Sequence, residues 1–188
     1  AVATAIDEEL EPEEIAEIAA GIEPTDGIFY PGIVQMNYMT GELIKSYGNA
    51  PKMIIAMFDM GGSINTVEFH SEYHGHEDSP KELLEAIDKL DVDFSPRQIA
   101  HVATLSAQAN QKLVPKPHLE EIIKYSATLG ALGVNVAHSG TMVGVLFAPD
   151  ESMKHVMEAV EKIREKFPEL EYFETERLIS GGYDIEQR

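Results

Sequence analysis

Cysteine is absent from all 188 residues, which excludes a disulfide framework, a thiolate zinc site and a cysteine nucleophile. Basic residues are scarce: 14 Lys and Arg stand against 33 Asp and Glu, for a formal net charge of −19 and a pI near 4.6. That deficit argues against non-specific binding to nucleic acid or to an anionic membrane surface. A polyanionic ligand would need local relief from backbone N–H groups, a helix N-terminus or a metal ion. No apolar run approaches the length of a membrane span, and no signal peptide is evident. No internal repeat or low-complexity linker interrupts the chain. A soluble cytoplasmic protein is the expectation.

Hydrophobic residues, at 44%, suffice for one domain or one and a half with a substantial core. Ala1-Val2-Ala3-Thr4-Ala5 reads as helix interior with no N-cap before it. The expectation is therefore a chain entered in mid-helix, with a segment upstream or on a separate polypeptide.

Pro12 at a first turn with Glu13 and Glu14 restarts a helix, and Ile15, Ile18, Ala19 and Ile22 give it an apolar stripe. Ile22 to Gly32 then packs two carboxylates, the Thr25 hydroxyl, two prolines and two glycines into eleven residues. Pro24 pushes Glu23 out of the α region and stops the helix, which leaves Asp26 on a rigid loop. Taken alone, Thr25-Asp26-Gly27 reads as a turn or cap.

Runs at 33–38 and 42–47 around Gly41 predict a β-hairpin, and Met53 to Phe58 predicts a buried central strand. That strand ends at Asp59-Met60-Gly61-Gly62, either a simple turn or a ligand-facing loop into which glycine lets backbone N–H groups approach. His70, His74 and His76 invite a metal reading, but Gly75 and its polar neighbours favour a solvated loop, and no metal site is expected. Ser79 with Glu82, and Ser95 with Gln98, look like N-caps of helices running to Leu90 and about Leu113. In the second of these, Ile99, Val102, Ala103 and Ser106 share one side. A further helix spans His118 to Leu129 and ends at Gly130. Two β-type runs flank His138-Ser139-Gly140, a hairpin whose small polar tip could turn backbone donors toward an anion. A helix entered at Pro149 and running through Phe167, then a strand from Glu171 to Ile179 and a frayed tail, complete the chain.

From Met53 onward the order is strand, helices, strand, strand, helix, strand. This predicts an α+β fold, a ferredoxin-like split β-α-β sandwich over 51–188, with 1–50 the tail of a different structural unit.

Three stretches occur in a telling order: Pro12 to Gly27, Asp59 to Thr66, and Val136 to Thr141. Together the chain resembles the C-terminal two-thirds of a small-molecule kinase of the GHMP superfamily, nearest to the L-threonine kinases of cobalamin side-chain synthesis. The resemblance implies transfer of the γ-phosphoryl of ATP, with Mg²⁺, to the hydroxyl of a small amino acid. It implies that Asp26 is the catalytic aspartate near the accepting hydroxyl. Glu23, Thr25, Gly27, Asp59, Gly61, Gly62 and Thr66 would bind substrate, and His138, Ser139, Gly140 and Thr141 would lie against the phosphates. It also implies a glycine- and serine-rich phosphate loop opening the first helix, and no such stretch is present in the sequence. Hence the expectation that this polypeptide alone is inactive, with an N-terminal kinase segment or a second chain as partner.

The alternative is a non-catalytic ferredoxin-like module that binds a small molecule or a partner. The kinase reading expects a concave face shared by Asp26, Asp59 and the Ser139–Gly140 tip. The binding-module reading expects them dispersed, with Asp26 capping or salt-bridged. The helix stripe and the hairpin are expected to leave apolar surface exposed, with homodimerisation or strand exchange as outcomes.

Overall fold

The computed structural model describes residues 10–22, 25–62, 79–112, 114–137 and 140–180. Mixed helix and antiparallel sheet make an α+β protein, and the chain divides into two compact units. One comprises 1–50 with 179–188, the other Pro51–Leu178. Ser180 is joined to the first unit: Gly32 N–H donates to Ser180 O (2.9 Å) and Ser180 Oγ donates to Ala50 O (3.3 Å).

The first unit holds helix α1 (Pro12–Ala20) and an antiparallel pair, β1 (Ile33–Met36) and β2 (Leu43–Gly48). Glu14 accepts the Glu11 N–H at 2.9 Å, satisfying a donor that the helix start would otherwise leave free. Little of this unit is buried: Ala16 and Tyr30 are enclosed, while Ile18 is 57% and Ile22 82% exposed. The apolar stripe of α1 is thus half in water, as the sequence led us to expect.

The second unit runs β3 (Ile54–Asp59), α2 (Lys81–Asp88), α3 (Pro96–Asn110), α4 (Leu119–Thr128), β4 (Gly133–Val136), β5 (Met142–Phe147), α5 (Met153–Lys166) and β6 (Glu171–Arg177). Its sheet has the order β4-β5-β3-β6 with every pairing antiparallel, the ferredoxin-like arrangement anticipated from the element order. Ile54, Ala56 and Phe58 point to one face of β3 and pack with Val143, Val145 and Phe147 of β5 beneath Ile122, Val156 and Val160 of the helices. The edge strand β4 is covered by α3. Gly133 leaves room for that approach, since a Cβ there would lie 2.5 Å from both Ala100 O and Thr104 Oγ1. Thr104 Oγ1 in turn accepts the Val134 N–H at 2.9 Å, a donor an edge strand normally leaves unpaired.

Several boundaries differ from expectation. Pro80, not Ser79, is the N-cap of α2: its extended backbone presents the carbonyl that receives the Leu83 and Leu84 N–H groups, and no side chain caps it. Ser95 does cap α3, accepting the Gln98 N–H, but the Gln98 side chain reaches instead to Ala86 O. Helix α3 stops at Asn110 rather than Leu113, and the Gln111 carboxamide then clasps both the N–H and the carbonyl of Lys116. Its most enclosed apolar residues are Ala100 and Ala107, one position round from the expected stripe, because small residues let the helix sit close on β4. Helix α5 begins after Ser152, which accepts the His155 N–H, so Pro149 to Glu151 form a turn. All but Leu10 of the expected helix from Ala1 to Leu10, and all but Ser180 of the expected tail, lie outside the described residues.

Candidate functional site

The Asp26 loop belongs to the first unit and is fixed on both sides of the carboxylate. Thr25 N–H donates to Tyr38 O (3.0 Å), and Tyr30 N–H closes a turn onto Gly27 O (3.0 Å). Gly27 is pressed against β1: a Cβ there would fall 2.7 Å from a Val34 methyl, so no larger residue fits without moving the strand. Tyr30 is 4% exposed, and its hydroxyl donates to Gly41 O at 2.7 Å. Burial, with the nearby Glu13 charge second, pushes the Tyr30 phenol above its ordinary pKa of 10.0, so it remains a donor. Between these anchors Asp26 itself is exposed, and among the described residues it makes no hydrogen bond or ion pair. Among the described residues it is neither a helix cap nor half of a salt bridge.

The second unit carries Asp59, Gly61, Gly62, Gly140 and Thr141, and it brings three of them together. Asp59 ends β3 opposite Met142 of β5, and the ladder continues one step through Met60 N–H to Thr141 O (3.1 Å). This register brings the Thr141 side chain beside Asp59, where it favours the ionised carboxylate. Gly61 N–H donates to the carboxylate, 2.9 Å from Asp59 Oδ1. Gly61 and Gly62 have φ of +73° and +86°, the left-handed region that glycine occupies without strain, and among the described residues nothing stands within 4 Å of a Cβ at either. Thr141, then Gly61, hold the Asp59 carboxyl below its usual 3.8, against a smaller opposing effect of desolvation. The corner therefore presents an ionised, oriented carboxylate beside a glycine turn.

Glu23, Thr66, His138, Ser139 and the histidines at 70, 74 and 76 lie outside the described residues. Mg²⁺ would require several oxygen ligands, and among the described residues no group of three or more His, Asp and Glu could hold a metal ion. A triphosphate would require a cradle of backbone donors, and of the four residues expected to lie against it the structure describes Gly140 and Thr141. The described residues do not by themselves fit Mg-ATP. A cleft of about 190 Å³ between α2 and α3, lined by Pro80, Leu83, Leu105 and Lys112 among others, contains none of the candidate residues. It is also smaller than the roughly 300–1,000 Å³ usual for ligand sites.

Two residues escaped the sequence reading. Tyr30 matters through a buried hydroxyl whose acceptor lies eleven residues away, and no local pattern announces that pairing. Lys116 is 4% exposed, and its Nζ has no hydrogen-bond partner among the described residues. A lysine between two prolines in an acidic chain reads instead as a solvated loop residue.

Comparison with known proteins places these features in context. The family described as GHMP kinases C terminal matches residues 83–166. The chain is 22% identical over 189 residues to the L-threonine kinase of Citrobacter freundii, covering 95% of this chain and 64% of that protein. To the L-threonine kinase of Salmonella typhimurium it is 24% identical over 153 residues, covering 78% of this chain and 51% of that protein. The mevalonate kinase of Methanococcus jannaschii superposes with a TM-score of 0.64 at 18% identity, over 94% of this chain and 60% of that one. At that identity the superposition speaks to fold alone. The chain thus spans about half to two-thirds of the length of the curated relatives it matches. The likeness to GHMP kinases drawn from the three motifs holds.

Proposed function

We propose that this chain, which carries the C-terminal region of a GHMP-type kinase, serves phosphoryl transfer to the hydroxyl of a small amino acid, L-threonine being the leading acceptor. The observation that carries this reading is Asp26, exposed and unpartnered among the described residues on a loop anchored at Thr25, Gly27 and Tyr30. A carboxylate fixed in place and left without a protein partner suits a group that orients the acceptor hydroxyl and takes its proton. A binding module would have no use for it, and capping or pairing would be its expected fate.

In this reading Asp59 serves the substrate. Its ionised carboxylate keeps lone pairs beyond the one given to Gly61, which suits the ammonium of an amino acid. ATP and Mg²⁺ are the phosphoryl donor and its counter-ion. As the resemblance to GHMP kinases implies, the reading assigns the rest of the phosphate cradle to an N-terminal kinase segment or a second chain. The chain alone is then inactive, and its place is the cytoplasm.

Calorimetric titration of this chain with Mg-ATP, with and without L-threonine, tests the reading. We expect no nucleotide binding by the chain alone, and threonine phosphorylation once the N-terminal segment of a kinase relative is supplied. Tight nucleotide binding by the chain alone would contradict the placement of the cradle. Silence toward both ligands with the segment present would favour the binding module.

A further inference from the structure

We infer that Tyr30 is the positioning residue for Asp26, acting through the hairpin turn at 37–41; the inference rests on the catalytic reading of Asp26 given above. The Asp26 loop is attached to that turn at two points. Thr25 N–H reaches Tyr38 O at 3.0 Å, and the Tyr30 hydroxyl reaches Gly41 O at 2.7 Å. Tyr30 also closes the loop on itself, through its N–H to Gly27 O at 3.0 Å. One residue therefore both shapes the turn that follows Asp26 and fastens it to a separate element.

The element it fastens to is itself over-determined. Asn37 O accepts from both Thr40 N–H (3.3 Å) and Gly41 N–H (2.8 Å), while Asn37 Oδ1 accepts from Met39 N–H (3.0 Å). Gly41 is buried, and a Cβ on it would stand 2.5 Å from Ala16 O, so the turn is seated directly on the backbone of α1. Ala16 is fully enclosed beneath it. The line of contact runs α1, Gly41, the Tyr30 ring and hydroxyl, then the Asp26 loop.

The energetics favour a positioning role over a merely structural one. The hydroxyl lies in a buried setting, where loss of a donor leaves the Gly41 carbonyl unsatisfied. The phenol pKa is raised, so the donor proton is retained across the physiological range. The Asp26 side chain gains no rigidity from contacts of its own among the described residues, so its placement derives from its backbone. A misplacement of about 1 Å at a reacting group can cost about a hundredfold in rate.

The test is a double-mutant cycle on phosphoryl transfer to L-threonine by the complemented kinase, joined to amide exchange on this chain alone. Tyr30→Phe is expected to lower kcat about tenfold or more with KM unchanged. In an Asp26→Asn background the same change should have no further effect, because Tyr30 acts only through Asp26. Asn37→Ala, which loosens the turn from its other side, should reproduce the kcat loss and be non-additive with Tyr30→Phe. On this chain alone, Tyr30→Phe should speed exchange at Thr25 and leave the α1 amides protected.

Equal losses from Tyr30→Phe in both Asp26 backgrounds would overturn the inference and leave the kinase reading intact. An unchanged Thr25 exchange rate would do the same. If Asp26→Asn itself cost nothing while threonine was phosphorylated, the catalytic reading of Asp26 would fall, and the inference with it.

Discussion

The β3–β5 register sets the Thr141 side chain, just before β5, beside the Asp59 carboxylate at the end of β3. Together with Gly61 N–H on Oδ1, that placement holds the Asp59 carboxyl below its ordinary 3.8. An acid whose folded value is depressed stabilises the fold fully above the ordinary value and loses that contribution as pH falls through the folded one. The relevant window therefore lies below 3.8. We expect Thr141→Val to return the Asp59 titration toward 3.8, read by carbon-detected carboxyl NMR. A titration superimposable on wild type would remove Thr141 as the cause.

Gly133 is where α3 meets the edge of the sheet, and there the space is filled by backbone. Its missing Cβ would lie 2.5 Å from Ala100 O and 3.0 Å from Ala100 C, neither of which can rotate away. Gly133→Ala should therefore destabilise the second unit by about 1–3 kcal/mol, the usual cost of overpacking. Urea denaturation gives the number, and an unchanged midpoint would mean that α3 is free to slide outward.

Burial pushes the Lys116 amine below its ordinary 10.5, and its Nζ lacks a hydrogen-bond partner among the described residues. A base depressed on folding binds fewer protons in the native state, so this group makes stability rise with pH from the folded value up to 10.5. Below that window the cost of the unsolvated charge is present in full. Lys116→Met keeps the chain length and removes the charge. It should stabilise the protein near neutral pH by about 1–3 kcal/mol and abolish the rise on the alkaline side. Denaturant melts of both proteins at neutral and alkaline pH provide the comparison.

The second unit was legible because β3 and β5 are apolar runs of strand length, β6 alternates, and its helices carry Pro, Ser and Gly signals at their ends. Element order pointed to a ferredoxin-like sandwich, and the observed order β4-β5-β3-β6 agrees with it. Helix starts were misread where two candidate caps were adjacent: at Ser79-Pro80 the choice turns on backbone angles that residue identity does not reveal. The site was legible as a set of residues but not as a set of contacts. Asp59 and Thr141 were read as serving substrate and phosphate separately, and only the β3–β5 register makes them neighbours. Tyr30 stayed hidden because a tyrosine beside Pro31 looks like any turn residue until its hydroxyl is seen against Gly41 O.

Ile18 on α1 and Ile22 just beyond it are 57% and 82% exposed, and on β2 Ile44 is 59% exposed. Apolar groups held in water favour association, because each removed from solvent contributes about 25 cal/mol per Å². We expect sedimentation of this chain to depend on concentration. Ile18→Glu with Ile22→Glu should suppress that dependence while shifting stability by no more than about 0.5 kcal/mol, as is usual for surface positions. A monomer at every concentration would assign this face no role in self-association.

Asp26→Asn separates the chemical role of the carboxylate from its place in the fold. The substitution keeps the size of the side chain and touches none of the bonds from Thr25, Gly27 and Tyr30 that fix the loop. Thermal stability should therefore stay within about 0.5 kcal/mol of wild type. Asparagine cannot accept the acceptor proton, and loss of a positioned general base typically lowers rate by about 10²–10⁴-fold. In the complemented kinase we expect kcat to fall by that range while the KM for L-threonine changes little, since the interaction lost is one made in the transition state. A raised KM at unchanged kcat would instead make Asp26 a substrate anchor, and the proton would have to leave by another route.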